Sequence, residues 1–186
     1  MSNTIYMAPM EGLTDFTYRN AYEKTFGKGR ITKYFTPFIP AAKKMSKKIK
    51  RDLAAENNEQ IRLVPQLIGN RADEFLMMIR QLEDLGFTSV NLNFGCPSGT
   101  VVSKRKGAGF LEEPEELEML LEEVLENSPL AVSVKTRVGI KDPDEWEALC
   151  GVYAKFPLEE LIIHPRLQID YYSGTPRMET FARALE

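Results

Sequence analysis

The feature that most constrains this chain is a recurrence: short apolar runs, most ending in polar residues, alternate with segments of helical periodicity. The runs are "TIYMAP" (4–9), "KYFTPFI" (33–39), "LVPQLIG" (63–69), "SVNLNFG" (89–95), "LAVSVKTRV" (130–138) and "LEELIIHP" (158–165). Between them, "NRADEFLMMIRQLEDLGF" sets Phe75, Leu76, Ile79, Leu82 and Leu85 on one stripe, with Asn70 placed to cap and Gly86 to close. "EEPEELEMLLEEVLENS" offers Pro114 for a first turn and early glutamates against the helix dipole. "KDPDEWEALCGVYAKF" repeats the start signal at Asp142 and Pro143, and Cys150 falls in its stripe as a core residue. Strands alternating with helices predict an α/β fold on a parallel sheet, and nearly continuous apolar runs predict strands covered on both faces.

An open doubly wound sheet and a closed barrel both satisfy that pattern. The polar residues separate them. Pro9-Met10-Glu11, Gln66, Asn93 to Cys96, Lys135 to Arg137 and His164 to Arg166 all fall at or near the carboxyl ends of successive strands. An open sheet gathers its ligands at one switch point, whereas a (β/α)8 TIM barrel collects them from nearly every strand at one rim. No Gly-x-Gly-x-x-Gly follows the first strand, so the barrel is the expected fold. Six runs cannot close eight strands, and "RMETFARALE" reads as the start or middle of a sixth helix. The chain is therefore expected to be truncated after about six βα units. Its open first and sixth edges would invite self-association.

At 186 residues with 43% apolar content, one domain with a sizeable core is expected. No apolar run is long enough to span a bilayer, and "MSNTIYMAPM" has no charged region followed by a long apolar core. Two cysteines and no export signal point to a reducing, cytoplasmic setting, and with a single histidine they leave too few ligands for structural zinc. A net charge of −3 predicts no general affinity for nucleic acid. It is unevenly spread, however: "KKMSKKIKR" (43–51) and "KRK" (104–106) are basic and "EEPEELEMLLEEVLE" (112–126) is acidic. Basic blocks of this kind are either solvated faces or local phosphate sites.

Chemistry concentrates at the strand ends. In "SVNLNFGCPSG" the strand breaks at Gly95, presents Cys96 and cannot continue through Pro97. Asn91 and Asn93 point from one side of that strand, and a carboxamide, as donor and acceptor, suits the edge of a planar heterocycle. Cys96 is either a small half-buried packing residue or, without a histidine beside it in sequence, a proton donor or nucleophile. Lys135 interrupts an apolar strand; it either points outward between helices or faces inward and needs an anionic partner, such as a reduced flavin. Gln66 and His164 sit at equivalent strand ends, and a buried glutamine must find partners. In "KRKGAGFL", Gly107 and Gly109 read as backbone that lets a ligand or RNA phosphate approach closely.

Taken together, "MAPMEGLTD", "PQLIGN", "NLNFGCPSGTVVSKRKGAGFL", "VKTRVG" and "IIHPRLQIDYYSG" resemble, in order and spacing, the tRNA-dihydrouridine synthase family. The resemblance runs from about residue 5 to residue 176, and Asn-x-Asn-x-Gly-Cys-Pro followed by Gly-Ala-Gly is its most specific part. It implies an FMN flavoprotein oxidoreductase that reduces uridine in tRNA to 5,6-dihydrouridine, with NADPH reloading the flavin. By that resemblance Pro9, Met10 and Glu11 back the flavin, and Gln66, Lys135 and His164 contact it. Cys96 protonates C5 of the base, Asn91 and Asn93 face it, and Lys104, Arg137 and Arg166 meet base or RNA backbone. The resemblance also implies that residues 1–186 are the N-terminal part of the catalytic barrel. The FMN-phosphate loops after strands seven and eight and a tRNA-binding helical domain would lie beyond them. Two departures stand out: "TPFIP" where the family usually has an acidic residue, and Pro165 where it commonly has glycine. Two other readings fit the residues: an FMN barrel of the dihydroorotate or dihydropyrimidine dehydrogenase type, and an inactive fragment that binds RNA or a partner.

Overall fold

Parallel strands cannot be joined by tight turns, so each run must be followed by a crossover. The computed structural model describes residues 4–185; residues 1–3 of the amino-terminal stretch and Glu186 lie outside them. Its strands are β1 (Ile5–Met7), β2 (Ile31–Phe35), β3 (Ile39–Pro40), β4 (Leu63–Val64), β5 (Gln66–Ile68), β6 (Ser89–Phe94), β7 (Ala131–Arg137) and β8 (Leu161–His164). The pairs β1–β2, β2–β4, β3–β5, β5–β6, β6–β7 and β7–β8 are all parallel. β2 and β3 are one expected run interrupted, and so are β4 and β5. Six strand positions thus follow one another in chain order, an arc of a TIM barrel, in which β1 and β8 each have one partner among the described residues.

The interruptions have a chemical cause. Pro65 has no N–H to give, so the ladder cannot run through it. Thr36 bridges the gap instead: its N–H donates to the Val64 carbonyl (3.2 Å), and its Oγ1 accepts from the Gln66 N–H (3.0 Å).

Helices α1 (Phe16–Tyr22), α2 (Lys47–Leu53), α3 (Ala72–Asp84), α4 (Gly99–Val102), α5 (Pro114–Asn127), α6 (Glu145–Tyr153) and α7 (Met178–Arg183) fill the crossovers. The outer faces of the central strands (Val90, Leu92, Phe94, Val132, Val134) pack on Phe75, Ile79 and Leu82 of α3, Leu117, Leu121 and Val124 of α5, and Trp146 and Leu149 of α6. Cys150 packs against this core, as its stripe implies. Helix starts differ from expectation in two places. Arg71 rather than Asn70 precedes α3, because the Asn70 amide donates to the Lys104 carbonyl (3.2 Å). α6 begins at Glu145, past Asp142 and Pro143, since the Glu145 carboxylate turns back to accept the N–H groups of Ile140, Lys141 and Asp142. Leu85 lies beyond the end of α3 and is exposed, and Gly86 closes that helix with φ +86°. No described helix is long and apolar enough to cross a membrane.

Inside the arc the strands turn polar side chains toward one another. At the amino-terminal end, buried Lys33 pairs with Glu159 (3.1 Å) and Glu160 (2.9 Å), and the Tyr6 hydroxyl donates to Glu160. This cluster ties β1 and β2 to the entry of β8. The bridge at Pro65 gives a direct test of the fold. Thr36→Val keeps the volume of a fully buried side chain but leaves the Gln66 N–H unpaired. Urea denaturation should show a loss of about 1–3 kcal/mol, and an unchanged midpoint would mean the hydroxyl does not bridge the ladder.

Candidate active site

At the carboxyl ends of the strands the interior opens into a cleft of about 310 Å³. Its floor is a chain of three carboxamides on β5 and β6 that ends on a hydroxyl of β7. The register that sets Gln66 beside Asn91, and Asn91 beside Ser133, brings their side chains into one layer. Gln66 Nε2 donates to Asn91 Oδ1 (2.8 Å), Asn91 Nδ2 donates to Ser133 Oγ (2.9 Å) and Asn93 Nδ2 donates to Gln66 Oε1 (2.7 Å). Each amide is thereby fixed in orientation, and Gln66 and Asn93 each keep one N–H for the cleft.

Two cations and an imidazole face this floor. Lys135 follows Asn93 in register on β7. It has no hydrogen bond or ion pair among the described residues, and burial, with Arg137 adding to it, pushes its pKa down. Lys33 makes the contrast: burial lowers it too, but Glu160 and Glu159 more than offset that and its pKa is raised. His164 ends β8, and its pKa is pushed down to about 4 by burial and by Arg137, Lys135 and Arg166. Arg166 Nη1 lies 2.9 Å from His164 Nε2. Arginine can only donate, so Nε2 accepts and the neutral ring carries its proton on Nδ1.

The rim is built around Cys96. Asn93 Oδ1 accepts the N–H groups of Gly95 (3.0 Å) and Cys96 (2.9 Å), which folds the chain off the end of β6. Behind the cysteine, a Cβ on Gly107 would stand 2.8 Å from the Cys96 carbonyl oxygen and 3.0 Å from its Cβ, and φ at Gly107 is +55°. Gly107 and Gly109 are buried against Cys96 and Val102. The expectation that they admit a ligand or phosphate is corrected: their missing side chains make room for the rim itself. Arg137 completes it, donating to the carbonyls of Gly95 (2.8 Å), Leu167 (2.7 Å) and Tyr171 (2.6 Å), and its guanidinium lies 5.5 Å from the centre of the Tyr172 ring.

Of the twelve residues singled out from the sequence, nine line this one cleft: Pro9, Met10, Glu11, Gln66, Asn93, Cys96, Lys135, Arg137 and His164. Three do not. Asn91 is fully buried beneath Gln66. Lys104 is exposed on the loop after α4. Arg166 donates to His164 and to the carbonyls of Ser173 and Gly174, so it braces the loop after β8. Phe38 and Tyr172 also line the cleft and carry no expectation from the sequence. Phe38 lies near the end of a run among apolar and uncharged neighbours, and Tyr172 lies outside any strand.

Comparison with known proteins agrees with this geometry. A family model described as Dihydrouridine synthase (Dus) matches residues 6–182. The chain belongs to the dihydrouridine synthase family. Among curated members, a probable tRNA-dihydrouridine synthase of Staphylococcus epidermidis (strain ATCC 35984) is 30% identical over 164 residues, 86% of this chain and 49% of that protein. The probable tRNA-dihydrouridine synthase 2 of Bacillus subtilis (strain 168) is 29% identical over 168 residues, 88% of this chain and 50% of that protein. The tRNA-dihydrouridine(20/20a) synthase of Vibrio parahaemolyticus is 34% identical over 121 residues, 63% of this chain and 37% of that protein. The chain thus spans about half the length of the first two dihydrouridine synthases.

The neutral His164 makes stability depend on pH in a fixed direction. Between an unfolded value of 6.5 and a folded value of about 4, the unfolded chain binds a proton that the folded chain refuses. Stability should fall as pH drops through that window, and His164→Gln should flatten that part of the curve. Equal slopes in both proteins would mean that the ring is charged in the fold.

Proposed function

We propose that the intact protein is an FMN-dependent oxidoreductase that reduces a uracil base of tRNA to 5,6-dihydrouracil, with NADPH as the reductant. The observation that carries this reading is one cleft holding a half-buried ammonium without a counter-ion among the described residues, orientationally locked carboxamides and a rim thiol. A half-buried cation without an anion is costly, so the cleft is suited to a ligand with negative charge at a polar edge. A flavin fits that demand: Lys135 would meet its anionic edge, Gln66 and the Nδ1–H of His164 would meet its heteroatoms, and Pro9, Met10 and Glu11 would back the ring. When bound, FMN supplies the hydride for C6 of the base.

The remaining work belongs to side chains of this chain. Asn93 offers its free N–H to the base and holds Cys96 through two backbone N–H groups. The Cys96 thiol gives its proton to C5: the S–H bond breaks, a C–H bond forms, and the thiolate is reprotonated from solvent. Arg137 keeps two N–H groups beyond its three carbonyl bonds for the cleft, while Asn91 and Arg166 hold Gln66 and His164 in place. Lys104, exposed on the loop after α4, is suited to the RNA backbone. A base in folded tRNA must be turned out to lie in such a cleft, and contacts to its neighbours offset the cost of unstacking. The tRNA in the relatives' names supports that substrate. On this reading residues 1–186 are the N-terminal part of the catalytic barrel. The FMN-phosphate loops and the tRNA-binding helical domain fall outside them.

Cys96→Ala in the intact protein should keep FMN and NADPH oxidation, while dihydrouridine in tRNA, read by mass spectrometry of digests, falls roughly a hundredfold. Undiminished dihydrouridine would remove Cys96 from the chemistry. Reduction of free uracil but not of tRNA by the unmodified protein would overturn the choice of substrate.

A further inference from the structure

A second cavity, of about 400 Å³, opens beside the Cys96 cleft and shares Glu11 and Phe38 with it. Its walls come from the loop after β1, the end of β3 and helix α2. Leu13, Phe16, Phe38 and Ile49 make it apolar, and Lys48 and Arg51 stand on it. The Arg51 guanidinium lies 5.3 Å from the centre of the Phe16 ring. Of the acidic groups that line it, Asp52 is neutralised by Arg19 (3.1 Å) and accepts the Phe16 N–H (2.7 Å), while Asp15 caps α1 by accepting the Tyr18 N–H. Glu11 is exposed without an ion pair among the described residues, one carboxylate against the cations of α2.

The charge around it is unusual for this chain. Segment 43–51 carries six cations, Lys43, Lys44, Lys47, Lys48, Lys50 and Arg51. None of them forms an ion pair among the described residues, whereas Arg71, Arg105 and Lys155 all pair with carboxylates. In a protein of net charge −3, an uncompensated basic face beside an aromatic cavity complements a ligand with both phosphates and flat rings.

We propose that this cavity is a second nucleotide site, which takes the base next to the target uridine against Phe16 and Arg51 while Lys48 and its neighbours on α2 hold the adjoining phosphates. The proposal rests on the reading of the main cleft as a uridine site. Turning one base out of a helix strips its neighbour of a stacking partner, and an aromatic cavity on the same rim restores one.

The test uses the intact, FMN-loaded protein and its tRNA substrate. An abasic residue next to the target should weaken binding about tenfold in the unmodified protein. In Leu13→Trp, where an exposed side chain is enlarged to fill the cavity, binding should be weaker and the abasic residue should cost nothing further. Lys48→Gln combined with Lys50→Gln, two exposed lysines of α2, should reduce the salt dependence of binding by roughly two phosphate contacts. NADPH oxidation without tRNA should stay unchanged in every variant. An abasic cost that is absent from the unmodified protein or persists in Leu13→Trp would overturn the second site, as would an unchanged salt slope. Failure of the unmodified protein to bind or reduce tRNA would instead overturn the reading on which it rests.

Discussion

The side chains of Gln66 and Asn91 are fully buried, so most of their polar atoms must find partners within the protein. The links Gln66 to Asn91, Asn91 to Ser133 and Asn93 to Gln66 meet that demand across β5, β6 and β7. Much else follows from them. They agree with only one register of the three strands, since a slip of one residue would turn each amide to the apolar outer face. They aim the remaining N–H groups of Gln66 and Asn93 into the cleft. Through Asn93 Oδ1 they hold the backbone of Gly95 and Cys96, so the thiol's position at the rim is set by amides beneath it.

The same interior holds two lysines in opposite electrostatic situations. Lys33 is neutralised within the protein by Glu159 and Glu160 and joins distant parts of the barrel floor. Lys135 has no such partner among the described residues, and its pKa is lowered by burial and Arg137. A charge balanced internally serves the fold, whereas one left unbalanced at a cleft suits an anionic ligand. His164 adds to the contrast, because burial and the surrounding cations keep it neutral and able to donate a hydrogen bond without repelling Lys135.

The arc of parallel strands was legible because each apolar run is bounded by polar residues and followed by a capped helical stripe. The cleft was legible because barrels gather strand ends at one rim, which is where Gln66, Asn93, Lys135 and His164 fall. What the sequence concealed has a common physical origin: donors that can serve either ligand or backbone. Nothing in "VKTRV" tells that Arg137 uses three donors on carbonyls of two other segments. Asn91 and Asn93 share a face, but only depth along the strand separates a buried brace from a cleft residue. Gly107 looked like a site for ligand approach because the close neighbour it accommodates, Cys96, is eleven residues away and becomes adjacent only in the fold.

An NMR titration of the Lys135 side-chain nitrogen, with and without FMN, tests whether this lysine, unpaired among the described residues, serves the anionic edge of a flavin as proposed. The expected result is a pKa below the ordinary lysine value in the free protein that rises when FMN is added. An ordinary value that FMN leaves unmoved would contradict it.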